Sequence, residues 1–81
     1  MSHETALEQD AREKLTAGQR VTAVILETDV DDDGKALTKI ENIKTFVRPG
    51  EYELEWGDTV WIKIVDVGRS HAEALVLARA T

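Results

Sequence analysis

Ala36-Leu37-Thr38-Lys39-Ile40-Glu41-Asn42-Ile43-Lys44-Thr45-Phe46-Val47-Arg48 is the stretch that decides the fold. Two short runs rich in β-branched residues flank Glu41-Asn42, which is the spacing of a β-hairpin with a two-residue loop. Asn42 tolerates the positive φ that such a loop demands. Ile40 then pairs with Ile43, Lys39 with Lys44, Thr38 with Thr45 and Leu37 with Phe46. Side chains alternate between the two faces of a strand. One face therefore carries Thr38, Ile40, Ile43, Thr45 and Val47, which suits a barrel interior. The other carries Leu37, Lys39, Lys44, Phe46 and Arg48.

Outward from the hairpin, the pattern stays β. Val21 to Val30 is rich in Val, Ile, Leu and Thr, and Asp31-Asp32-Asp33-Gly34 forces a turn before the hairpin. Arg48-Pro49-Gly50 ends the second hairpin strand, and residues 51–58 connect to a run from Thr59 to Val67. There Val60, Ile62 and Ile64 recur with period two. Gly68-Arg69-Ser70 turns the chain into a fifth run, Ala72 to Ala78. Five strands in about 60 residues predict an all-β, five-stranded barrel, because closure removes the edges that an open sheet exposes. Residues 3–17 predict a short helix: Leu7, Ala11 and Leu15 recur at i, i+4 and i+8, Ser2 caps the start and Gly18 stands at its end. The expected organisation is thus a helical extension, 1–17, on a barrel domain, 18–81.

Composition narrows the function classes. The chain has 81 residues and no cysteine, so disulfides, thiolate metal sites and a cysteine nucleophile are excluded. No apolar run approaches the roughly 20 residues of a membrane helix. The first residues lack the pattern of a signal peptide. A cytoplasmic protein with no membrane partner is expected. Asp29 to Gly34 matches the first half of a calcium loop, but the twelfth position, where a glutamate must ligate, is Ile40. With histidine only at 3 and 71, neither a metal nor another cofactor is expected. No carboxylate sits in a stretch that would bury it for acid–base work, so no catalytic residue is assigned and the chain reads as a non-enzyme.

Net charge is −6, which taken whole opposes a phosphate partner. The distribution changes the argument. Residues 21–34 hold five acids and no base, and residues 51–58 hold Glu51, Glu53, Glu55 and Asp58 without a base. Between them lie Lys35, Lys39, Lys44 and Arg48 against Glu41 alone. A basic island of this kind can bind phosphate on an acidic protein. A phenylalanine turned outward among lysines is what unpaired bases need, because rings stack on it while the cations hold the backbone. Trp56 and Trp61 read more simply as packing residues, with Trp61 of outward parity.

From Gly18 to Leu77 the ordered set of features resembles a TRAM domain, an OB-like five-stranded barrel. The set comprises Asp33-Gly34, Lys39-Ile40-Glu41, Phe46-Val47, Gly57-Asp58-Thr59-Val60 and Ala72-Glu73-Ala74. The resemblance implies an RNA-binding protein. Such domains accompany enzymes that modify transfer and ribosomal RNA, and small stand-alone archaeal members look like counterparts of cold-shock RNA chaperones. The chain's acidity fits a salt-loving archaeal source. Carried over residue by residue, the family's RNA face falls on Leu37, Lys39, Lys44, Phe46, Arg48, Arg69 and His71. The chain departs from the family pattern at Ala36 and Asn42, where glycines are usual, and at Glu73, where a second aromatic is common and an acid repels phosphate. The expected ligand is RNA, single-stranded or structured like transfer or ribosomal RNA. The rival readings are a protein-interaction adaptor and an accessory domain of an RNA-modifying enzyme, with weak self-association through the N-terminal helix as a further expectation.

Overall fold

In a computed structural model of the chain, which describes residues 10–80, five strands form one sheet. They are β1 (Arg20–Val24), β2 (Ala36–Ile40), β3 (Ile43–Arg48), β4 (Thr59–Val67) and β5 (His71–Arg79). Their order across the sheet is β1-β4-β5-β3-β2. All neighbours are antiparallel except β3 and β5, which run parallel. The protein is all-β, and the sheet curls far enough to bring β1 and β2, its two edges, together. Leu26 N–H donates to the Leu37 carbonyl and Leu37 N–H to the Glu27 carbonyl, each at 2.8 Å. The Thr38 hydroxyl donates to the Val24 carbonyl at 2.6 Å. No longer ladder joins β1 to β2 among the described residues, so the barrel is a curled half-barrel with a seam.

The hairpin adopts the register that its sequence dictates: Leu37 faces Phe46, Lys39 faces Lys44 and Ile40 faces Ile43. Glu41 and Asn42 take φ of +53° and +69°, the two positive values of a type I′ turn, whose twist matches that of the strands it joins. Alternation then sorts the side chains. Ala36, Thr38, Thr45 and Val47 are buried, and Ile40 and Ile43 are half-buried against the core. The same period in β4 and β5 sends Val60, Ile62, Ile64, Ala72, Ala74 and Val76 inward. Two register shifts between β4 and β5, at Trp61/Ile62 and at Ile64/Asp66, are the bulges that bend a strand so that a small sheet can curl. Both buried threonines are satisfied, Thr38 as above and Thr45 through a 3.1 Å bond to the Ile43 carbonyl; a buried hydroxyl left without a partner would cost about 1–3 kcal/mol.

Two expectations about element bounds are corrected. The first strand ends at Val24, not Val30, because residues 25–27 leave the β4 ladder to close the seam. The expected helix over 3–17 is not continuous. Residues 3–9 lie outside the described residues, and from Asp10 onward there is a single 3-10 turn, Ala11–Glu13, capped by the Asp10 carboxylate. Tertiary bonds end it. Ala11 N–H is drawn to the Arg69 carbonyl at 2.8 Å, and Gly18, at φ +96°, donates to the Ile64 carbonyl at 2.6 Å. The apolar spacing keeps its meaning, because Ala11 and Leu15 are buried and Leu15 belongs to the barrel core.

Candidate nucleic-acid interface

The outward face of β2, β3 and β5 is where the hairpin's outward-facing side chains emerge. On it, rows of residues run across the strands. Lys39, Lys44 and His71 form one row; Leu37, Phe46 and Glu73 form the next; Arg48 and Leu75 follow. Lys39 with Lys44 and Leu37 with Phe46 are non-hydrogen-bonded pairs, the closer of the two antiparallel kinds. Like charges brought so near disfavour folding. The row of Lys39, Lys44 and His71 lies toward the Glu41-Asn42 tip, and all three side chains are exposed.

Phe46 is half-buried and stands outside the core cluster. The His71 ring meets it edge-on, with centroids 5.8 Å apart and planes at 77°, the T-shaped geometry that suits two ring quadrupoles. Two rings thus sit on one face beside two lysines. Among the described residues neither Lys39 nor Lys44 has a carboxylate partner.

Glu73, next to Phe46, pairs with Arg48 at 3.1 Å and with Lys35 at 3.5 Å. This changes two expectations. Glu73 is not an isolated repulsive charge but the centre of a cation–carboxylate–cation cluster. Arg48, expected to face phosphate freely, is engaged within the fold. Lys35 also reaches Asp31 at 3.8 Å, so the cluster ties the acidic turn to the sheet. Leu37 is half-buried against this row.

Arg69 lies apart from the lysines, in the turn before β5. Its carbonyl holds the Ala11 N–H. Its guanidinium adds to the field that depresses Asp10, whose carboxyl is held at about 2, chiefly by the hydrogen bond from the Arg12 side chain. Arg69 therefore belongs to the junction with the N-terminal segment as much as to the binding face. The structure brings Lys39, Lys44, Phe46 and His71 together, lends Arg48 to Glu73 and leaves Arg69 at the margin.

Sequence reasoning placed Lys35 in the basic island without its carboxylate partners, Asp31 and Glu73, and misread Trp56. Trp56, read as a packing residue, is 78% exposed. It precedes Gly57, at φ +90°, in a tight turn closed by Asp58 N–H on the Glu55 carbonyl at 3.0 Å. The Gly57-Asp58 pair was the available signal, because a residue just before such a glycine stands at the crest of a turn. Trp61 has the outward orientation its parity predicts.

Comparison with protein-family models, with curated proteins and with solved structures yields no match to this chain. Among the described residues no helix is long and apolar enough to cross a membrane.

Proposed function

We propose that the protein binds single-stranded RNA with weak sequence specificity and acts as an RNA chaperone, with Phe46 and His71 as the stacking rings and Lys39 and Lys44 as the phosphate contacts. The observation that carries this reading is the Phe46–His71 ring pair standing outside the core beside two cations that have no carboxylate partner among the described residues. Every base has a face that can stack, so such a site tolerates sequence. By mass action, a protein that holds the unpaired form of an RNA shifts that RNA toward opening, with no need for ATP.

The chain's topology supports a finer assignment. Counting the β1–β2 seam as a neighbour contact, the strands of the curled half-barrel run 1-2-3-5-4 and back to 1, with β3 parallel to β5. That is the connectivity of an OB barrel, a fold that binds oligonucleotides on the face of its second and third strands. Of the ordered motifs that resemble a TRAM domain, Lys39-Ile40 and Phe46-Val47 lie on those two strands. An accessory role beside an RNA-modifying enzyme would use the same face.

The chain's acidity is compatible with this reading because the acids are grouped elsewhere. The turn of Asp31 to Asp33 enters β2 at the end opposite the hairpin tip, and the cations near that end, Lys35, Arg48 and Arg79, are all held by carboxylates. In molar salt the Debye length falls to about 3 Å, which removes phosphate steering and leaves stacking as the main contribution.

Anisotropy of a dye-labelled octauridylate, titrated at 0.1 M and 1 M salt, tests the reading. Stacking on an aromatic ring contributes about 1–3 kcal/mol per base, so Phe46→Ala should weaken binding roughly 5- to 150-fold at both salts. Lys44→Ala should weaken it mainly at low salt. Equal affinity of the wild type and Phe46→Ala would remove the site assignment.

A further inference from the structure

The end of β1, its continuation and the turn before β4 carry a second exposed surface of different chemistry. The large apolar side chains that stand exposed among the described residues are Val24, Leu26, Trp56 and Trp61. All four lie on β1, its continuation, the start of β4 or the turn before β4. Val24 faces Thr59 across the ladder. Ile25 exchanges bonds with the turn itself: Ile25 N–H donates to the Asp58 carbonyl and Gly57 N–H to the Ile25 carbonyl, each at 2.8 Å. The crest that bears Trp56 is thereby fixed beside Leu26. Contiguous exposed apolar surface of this kind marks an interaction site, whereas a single exposed apolar residue does not.

The tryptophan is presented rigidly. Besides its two bonds to Ile25, the turn is held by Glu55 N–H on the Asp58 carboxylate at 2.9 Å. Arg79 pairs with the same carboxylate at 3.1 Å and donates to the Glu53 carbonyl. Interface anchors are enriched in tryptophan, and fixing one in place before binding lowers the ordering cost of association.

Charge selects the occupant. Glu27 follows Leu26 in the chain, Glu55 precedes Trp56 and Glu53 lies in the same loop; all three are exposed and without a cationic partner among the described residues, against one cation, Lys39, that lines the groove with Val24 and Leu26. Of the acids nearby, Asp58 is held by Arg79 and Asp31 by Lys35. RNA is repelled from such a surface. A second copy presenting the same end would add its own acids. We infer that the acidic end of the barrel docks a basic amphipathic segment of another protein, seating its apolar side chains on Val24, Leu26 and Trp56 and its cations on Glu27, Glu53 and Glu55. An apolar strip in an acidic surround suits a basic amphipathic chain by both shape and charge. The inference does not rest on RNA binding: the two surfaces adjoin at the β1–β2 seam, where Lys39 borders Val24 and Leu26, but they use different rings, Trp56 and Phe46.

The test is a titration of the isotope-labelled full chain, followed by its indole and amide resonances. The probe is a synthetic 14-residue peptide of leucine and lysine in amphipathic order, and the control is the same peptide with glutamate for lysine. The lysine peptide should shift the Trp56 indole and the Leu26 amide saturably, and the glutamate peptide should not. Trp56→Ala, which removes only an exposed side chain, should weaken the lysine peptide at least tenfold. Glu53→Lys combined with Glu55→Lys should do the same, and Phe46→Ala should leave the affinity unchanged. The proposal is overturned if neither peptide binds, if both bind alike, if Trp56→Ala binds as wild type does, or if octauridylate moves the Trp56 indole in place of the peptide. Loss of octauridylate binding in Phe46→Ala with peptide binding intact separates the two sites.

Discussion

The hairpin face and the loop surface of this barrel each expose an aromatic ring, and they differ in what surrounds it. On the hairpin face, Phe46 and His71 stand with Lys39 and Lys44. On the loop surface, Trp56 stands among Glu27, Glu53 and Glu55. The core beneath is common to both, so the contrast arises from the outward half of each strand and from the loops. A two-residue period lets one sequence specify a core on one alternate set of positions and a binding surface on the other. An exposed ring alone does not define a ligand. Stacking favours any planar or apolar partner, and the neighbouring charges decide whether that partner carries phosphates or cations.

The largest effect comes from the core the two surfaces share. Ile62 is fully buried in it, and truncation of such a residue costs about 2–5 kcal/mol. In a domain of this size Ile62→Ala should lower the urea midpoint sharply and abolish RNA and peptide binding together. Phe46→Ala, by contrast, should remove RNA affinity while leaving the midpoint within about 1 kcal/mol of wild type, the usual range for outward positions. Equal damage to folding would mean that Phe46 is a core residue and that the comparison is wrong.

Glu73 offers a finer test. It holds Arg48 and Lys35, so Glu73→Gln removes an acid from the Phe46 face, releases Arg48 and leaves Lys35 with Asp31 alone. Octauridylate binding should tighten several-fold at 0.1 M salt, and the gain should vanish at 1 M, where the Debye length is about 3 Å. Peptide affinity at the Trp56 surface should not change. A Glu73→Gln variant that binds RNA more weakly would show Glu73 to be a positioning group for Arg48.

The smallest effect is expected at Asp10, which caps the 3-10 turn beside Arg69. Its carboxyl is held at about 2, below the ordinary 3.8, first by the Arg12 side-chain hydrogen bond. A carboxyl depressed on folding stabilises the folded state above its unfolded pKa, and that contribution disappears as pH falls through the folded value. The difference in thermal midpoint between wild type and Asp10→Asn should therefore be present above about pH 4 and close toward pH 2. A difference that persisted at pH 2 would locate the effect in packing.

The hairpin was legible residue by residue because its information is local. Its turn type, pairing and facing all follow from Glu41-Asn42 and the period of the flanking residues. The same holds for β4, where Val60, Ile62 and Ile64 point inward as their spacing requires. What could not be read depends on contacts between distant segments. The apolar spacing of Ala11 and Leu15 is helical, yet bonds from Ala11 to Arg69 and from Gly18 to Ile64 stop the helix after one turn. The seam closure through Leu26, Glu27 and Leu37 leaves no periodic mark. The Lys35–Glu73–Arg48 cluster joins β3, β5 and the turn before β2, and appears only once the parallel β3–β5 pairing exists. Trp56 is the instructive miss, since hydrophobicity suggested burial and only the turn geometry exposes it.

The central claim is that unpaired RNA bases bind on the face of Phe46. The most direct measurement is a titration of the isotope-labelled protein with unlabelled octauridylate, read at every backbone amide. The account predicts saturable shifts concentrated at Lys39, Lys44, Phe46 and His71, with the Trp56 indole unmoved. Shifts confined to residues 51–58, or none at RNA excess, would contradict it.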